Sequence, residues 1–112
     1  MTRINCVPPA ELTDKHLLAE YRELPRVFKL ARSGNDIPGD YRMGAGHVKF
    51  FYDKLGYLKR RQESIIKECL RRGFNIQHRS VDFDIPADLA GDWAPTNRDM
   101  AINRDRIRER LS

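Results

Sequence analysis

One carboxylate, Glu23, stands among His16, Arg22 and Arg26 in the stretch HLLAEYRELPRVF, residues 16–28. An acid so placed can stabilise a developing cation or pass a proton. The guanidinium forks beside it can grip phosphate through paired donors. A second reactive group lies at the start of the chain, MTRIN. Residue 2 is Thr, small enough for an aminopeptidase to remove Met1, which leaves Thr2 as a free amine followed by Arg3. An α-amine has a pKa near 7.7–8.0 against about 10.4 for Lys, so roughly 10–15% is neutral at pH 7 against about 0.04% of a lysine. Nearby Arg cations lower the amine pKa further. Such an amine can attack a sugar C1′ and hold it as an imine. Against this stands the plain alternative of a solvated amphipathic helix with surface pairs such as Glu23 with Arg26, which contribute little. A Thr at position 2 is by itself commonly no more than a permissive neighbour of the start codon.

These groups need helices to hold them. Leu17, Tyr21, Leu24, Phe28 and Ala31 recur at steps of four and three, which predicts a first helix from about Thr13 to Ser33. Pro25 lies inside it and should kink it, leaving a carbonyl one turn earlier without its partner. At 100° per residue, Lys15, Arg22 and Arg26 lie opposite the apolar stripe, with Glu23 and His16 toward one edge. Residues 33–46, SGNDIPGDYRMGAG, hold four of the seven glycines and read as a loop ending the helix at Gly34.

A second helix spans roughly Tyr52 to Arg72, with Leu55, Leu58, Ile65, Ile66 and Cys69 on its buried face and Gly73 as its C-cap. Gln62 falls at helical spacing from that face, where it could also be a boundary residue bonded to backbone. Residues 74–95 read as irregular chain anchored by Phe83, Ile85, Leu89 and Trp93. A third helix begins near Thr96, where Thr96 and Asp99 form a capping-box pattern, and continues to about Leu111 on one narrow apolar seam of Met100, Ile107 and Leu111. No strand pattern emerges.

A length of 112 residues predicts one domain, 1–112, with a modest core. No apolar run approaches a membrane span, and Pro8, Pro9, Glu11 and Asp14 interrupt any secretory leader, so the expected location is cytoplasmic. Cys6 and Cys69 are then expected to be reduced core residues. Lys and Arg number 21 against 16 Asp and Glu, a net charge of +5 that favours an anionic partner, nucleic acid first. The clusters Arg60–Arg61, Arg71–Arg72 and Arg104, Arg106, Arg108, Arg110 suit phosphate; solvated helix faces are the alternative for each. No His/Cys ligand cluster suggests a metal, and no cofactor motif occurs.

MTRIN, LLAEYRELPRVF, GAGHVKFFYDKL and RRQESIIKECLRRGFNI together resemble the phage-type pyrimidine-dimer DNA glycosylases with abasic-site lyase activity, over about residues 1–78. The resemblance implies an all-α, compact domain of three main helices, with an N-terminal segment threading between them and long irregular connections. It implies catalysis by the Thr2 amine with Glu23, and no metal or cofactor. Arg3, Arg22 and Arg26 match positions contacting phosphate near the lesion, and His16 and Gln62 match positions near the DNA surface. The implied partner is damaged double-stranded DNA, kinked with a nucleotide turned out of the stack, and the implied state is a monomer. The loop between the first two helices is shorter than in the phage pattern. The sequence ends on RIRERLS without the aromatic, basic tail of that pattern, so abasic-site cleavage is expected ahead of dimer specificity. The competing expectations are an abasic lyase of other lesion specificity, a non-catalytic DNA-binding module, and an interaction protein that has kept the fold without the chemistry.

Overall fold

The structure, a computed structural model, describes residues 4–31, 39–41, 47–81 and 85–111. Four helices carry it: α1 (Asp14–Glu23), α2 (Pro25–Leu30), α3 (Leu55–Arg71) and α4 (Asn97–Leu111). Short 3-10 turns at Pro9–Glu11, Lys49–Phe51 and Ala87–Leu89 punctuate the connections. Among the described residues there is no strand, only an isolated antiparallel bridge between Lys54 and Ala90. The fold is thus all-α, with α1 and α2 as the two halves of the first main helix. None of the described helices is long and apolar enough to cross a membrane.

The first helix departs from its expected bounds. Thr13 is its N-cap, its hydroxyl accepting from the His16 N–H at 3.2 Å. Pro25 does more than kink it: lacking an N–H, it ends α1 and opens α2 at the first helical position, which tolerates proline. The expected extension to Ser33 and the stop at Gly34 lie outside the described residues, as does most of the 33–46 loop.

α3 begins three residues later than the spacing predicts, because Tyr52 and Asp53 are spent in a turn. Its stripe of Leu55, Leu58, Ile65, Ile66 and Cys69 is buried as expected. Gly73 (φ +83°) closes it: the Phe74 N–H reaches the Cys69 carbonyl and the Gly73 N–H the Leu70 carbonyl, both at 3.0 Å. Arg72 then ties this end to the start of α1, donating to Leu12 O at 2.8 Å and Asp14 at 2.9 Å, and is itself held by Glu68 of α3 at 2.7 Å.

The connection from α3 to α4 is pinned at two places. Gly91 donates to Asp53 O at 3.2 Å and accepts from Tyr57 N at 3.3 Å, so residues 90–91 lie directly on the start of α3. Trp93 is stacked on Tyr41 at 5.5 Å and edge-on to Tyr57 at 5.0 Å, inside a cluster completed by Phe50 and Phe51. Ile85, Leu89 and Trp93 pack against the core as expected, while Phe83 lies outside the described residues. α4 opens on the expected capping box, Thr96 N to Asp99 at 2.9 Å and Asp99 N to Thr96 Oγ1 at 3.1 Å. Cys6 and Cys69 are buried free thiols, and burial pushes the Cys6 thiol up to about 11.

Two outcomes follow for stability. A Cβ on Gly56 would sit 2.7 Å from Ala90 O and 2.9 Å from Gly91 O, both backbone atoms. Gly56→Ala should therefore lower stability by about 1–3 kcal/mol in chemical denaturation. Hydrogen bonds from Arg71 and then Arg72 hold the Glu68 carboxyl down at about 2. A depressed acid stabilises above its unfolded pKa, so this contribution is present near neutral pH and fades as pH falls from the ordinary glutamate range toward 2. Glu68→Gln should flatten the melting temperature against pH in that window and leave its shape above pH 6 unchanged.

Candidate active site

The N-terminal run Ile4–Val7 is buried yet has no helix or strand of its own, so side chains satisfy its backbone. Ile4 N donates to His47 Nε2 at 2.8 Å and Ile4 O accepts from the Tyr41 hydroxyl at 3.2 Å. Cys6 N and Val7 N both donate to Asn103 Oδ1, at 2.7 and 3.2 Å. Val7 O accepts from Arg61 at 2.5 Å. The segment therefore threads between α1, α3 and α4.

A buried ion pair anchors this arrangement. Arg61 holds Glu20 through two bonds, Nε to Oε2 at 2.9 Å and Nη2 to Oε1 at 3.1 Å. Burial works against the Arg61 charge, and the Glu20 carboxylate more than offsets it, holding the guanidinium above its ordinary value. Asn5 donates to Glu20 at 2.7 Å and accepts from Asn103 Nδ2 at 2.8 Å. Side chains from α1, α3 and α4 thus form one continuous chain of bonds around residues 5–7.

One turn beyond Glu20, Glu23 is half-buried at the end of α1. It lines a cavity of about 400 Å³ with Asn5, Lys15, His16, Ala19, Glu20 and Arg110. Asn5 is the wall contributed by the N-terminal run. Lys15, grouped with Arg22 and Arg26 on angle alone, is in this cavity instead; it lies two turns upstream of Arg22, and the wheel ignores height along the axis. Thr2 and Arg3 lie outside the described residues.

Arg22, Arg26 and Gln62 line a different and larger cleft of about 750 Å³, with Tyr21, Pro25, Ile66, Gln77, His78 and Ser80. Its geometry follows from Pro25. The missing proline N–H frees the Tyr21 carbonyl, and Gln62 Nε2 takes it at 3.1 Å. Tyr21 in turn fixes the far wall, its hydroxyl accepting from His78 N at 2.8 Å and donating to His78 O at 3.2 Å. Gln62 is only 3% exposed, and its Oε1 is buried without a hydrogen-bond partner among the described residues. An orphaned acceptor of this kind costs about 1–3 kcal/mol.

Ion pairing sorts the basic residues. The clusters that suit phosphate by composition are mostly engaged within the chain: Arg60 with Asp92, Arg61 with Glu20, Arg71 and Arg72 with Glu68, Arg104 with Glu11, Arg106 with Glu109 and Arg108 with Asp105. Lys15, Arg22, Arg26 and Arg110 form no ion pair with a described residue. The Glu23–Arg26 surface pair is likewise not formed.

Sequence reasoning missed Asn5, Glu20, Arg61 and Asn103. A signal existed for the last three, since each lies three residues after one apolar stripe residue and four before another: Leu17–Glu20–Leu24, Leu58–Arg61–Ile65 and Met100–Asn103–Ile107. A polar side chain at such a position must find a buried partner. Breaking the pair should be costly. Arg61→Met strands the Glu20 charge and should lower stability by about 3–5 kcal/mol in urea denaturation.

A buried N-terminal run thus reaches a carboxylate-lined cavity, and a separate cleft carries two arginines with no ion-pair partner among the described residues. The pyrimidine dimer DNA glycosylase family matches over residues 1–82. The match covers α1, α2 and α3 and stops before α4. The chain belongs to the pyrimidine dimer DNA glycosylase family.

Proposed function

We propose that this DNA glycosylase works through an imine on its own N-terminus and also cleaves the abasic site it creates. The carrying observation is the Glu23 cavity, one wall of which is Asn5, three residues from the Thr2 amine that removal of Met1 would expose.

In this reading the Thr2 nitrogen uses its lone pair to attack C1′, and the damaged base leaves with the bonding electrons. Opening of the sugar ring at O4′ gives the imine. Loss of a proton from C2′ then expels the 3′ phosphate by β-elimination, and water releases the sugar aldehyde from the amine. Glu23 stabilises the positive charge at C1′ and assists the proton transfers. Its lack of an ion-pair partner among the described residues suits that duty, since a salt-bridged carboxylate would be committed elsewhere. His16 lines the same cavity, where it can meet the strand being cut.

Arg22 and Arg26 hold phosphates, and Arg3 is assigned to the same task. The cleft lined by Arg22 and Arg26 supports extrusion of a nucleotide, as chemistry on a base in a duplex generally requires. Gln62 lines the same cleft and braces, through the Tyr21 carbonyl, the wall that meets the DNA. The substrate is damaged duplex DNA, a cyclobutane pyrimidine dimer first, and the protein acts as a monomer. A non-catalytic DNA-binding module is the rival, and borohydride separates the two, because only an imine-forming enzyme becomes covalently joined to abasic DNA.

Glu23→Gln should bind damaged duplex as the wild type does and release base on the order of 10²–10⁴ times more slowly in single-turnover assays. Full glycosylase activity in that variant would contradict the role assigned. Arg22→Gln and Arg26→Gln should each weaken binding and reduce the slope of log affinity against log salt by about 0.9. Unchanged slopes would remove these residues from the phosphate contacts.

A further inference from the structure

Asn103 is fully buried, at 0% exposure, on a helix whose residues lie beyond the family match. Both its amide oxygen and its amide nitrogen bond to the N-terminal run. Oδ1 takes the N–H groups of Cys6 and Val7, and Nδ2 donates to Asn5 Oδ1. A carboxamide is planar and rigid, so these three bonds fix one short piece of backbone against α4. Asn5 passes the restraint on to Glu20, one turn before Glu23 on α1. The same set of bonds therefore orients both the chain leading to residue 2 and the helix presenting the carboxylate. Covalent geometry keeps the Thr2 Cα within about 7–8 Å of the Ile4 Cα, so a shift of the held segment carries residue 2 with it.

We infer that Asn103 is a positioning residue for the glycosylase reaction: it acts through Asn5, Cys6 and Val7 to set the Thr2 amine at the reacting carbon opposite Glu23. The inference rests on the amine mechanism proposed above. It makes α4 part of the catalytic apparatus, although it contributes no group to the chemistry through Asn103 itself. Misplacing a reacting atom by about 1 Å costs on the order of a hundredfold in rate, and without these three bonds the run is held by His47 and Tyr41 at Ile4, Glu20 at Asn5 and Arg61 at Val7 O alone. Duplex affinity, which rests on the arginines of the cleft, is left alone.

The test is single-turnover borohydride trapping on a duplex with one abasic site, with duplex affinity measured separately. Asn103→Leu, which keeps the bulk and removes all three bonds, should trap on the order of ten to a hundred times more slowly than wild type at unchanged affinity. Asn103→Asp keeps the acceptor for Cys6 and Val7 but loses the donor to Asn5, and should fall between the two. Ile107→Val, one turn along the buried seam of α4, loosens packing without touching the segment and should trap at the wild-type rate. A wild-type rate for Asn103→Leu overturns the inference, as does an equal loss in Ile107→Val, which would mean general loosening. If Asn103→Leu does not fold, Asn103→Asp decides, and a wild-type rate in it overturns the inference. Wild-type protein that traps nothing instead refutes the amine mechanism itself, which keeps the two failures distinct.

Discussion

The buried pair of Glu20 and Arg61 is the constraint from which the rest of the structure is built. Two opposite charges have been taken out of water between α1 and α3, a desolvation cost that only good geometry and full hydrogen bonding can offset. The geometry is supplied by two parallel bonds, and the remaining bonding capacity is directed at the N-terminal run through Asn5 and Val7. An apolar pair could hold two helices together equally well. It could not hold four residues of irregular backbone between them, because each buried N–H and C=O there needs a polar partner. The ion pair thus makes sense as what allows the irregular run Ile4–Val7 to be buried between helices.

Pro25 plays a comparable part on the other side of α1. By withholding one N–H it frees the Tyr21 carbonyl, and Gln62 of α3 occupies the vacancy. That bond fixes how the α1–α2 junction meets α3, and the cleft lined by Arg22 and Arg26 lies at that meeting. A helix break, usually a loss, has become a joint between two elements. The same exchange leaves Gln62 Oε1 unpaired among the described residues, an expense that a purely structural amide could have avoided by an apolar substitution.

Much of this was legible in the sequence, and the reasons are local. The apolar stripes of α1 and α3, the Gly73 cap and the Thr96–Asp99 box depend on spacing within a few residues, and the structure has them where the spacing puts them. Glu23 and His16 were recognisable as one edge of the first helix and do share a cavity; Arg22, Arg26 and Gln62 gather in another. What the sequence hid is long-range. Asn5 and Asn103 are 98 residues apart and nothing in either neighbourhood announces the other. The partners of the arginine clusters were hidden for the same reason, since composition records a charge but not the acid folded against it, as Arg104 with Glu11 and Arg60 with Asp92 illustrate.

The central claim is that the nucleophile is the nitrogen of Thr2, free of Met1 and held beside Glu23. Peptide mapping by tandem mass spectrometry of the borohydride-reduced adduct with abasic DNA tests it most directly. The account predicts a sugar remnant on the α-nitrogen of an N-terminal peptide that begins at Thr2. A remnant found on a lysine side chain, or an active protein whose intact mass still includes Met1, would contradict it.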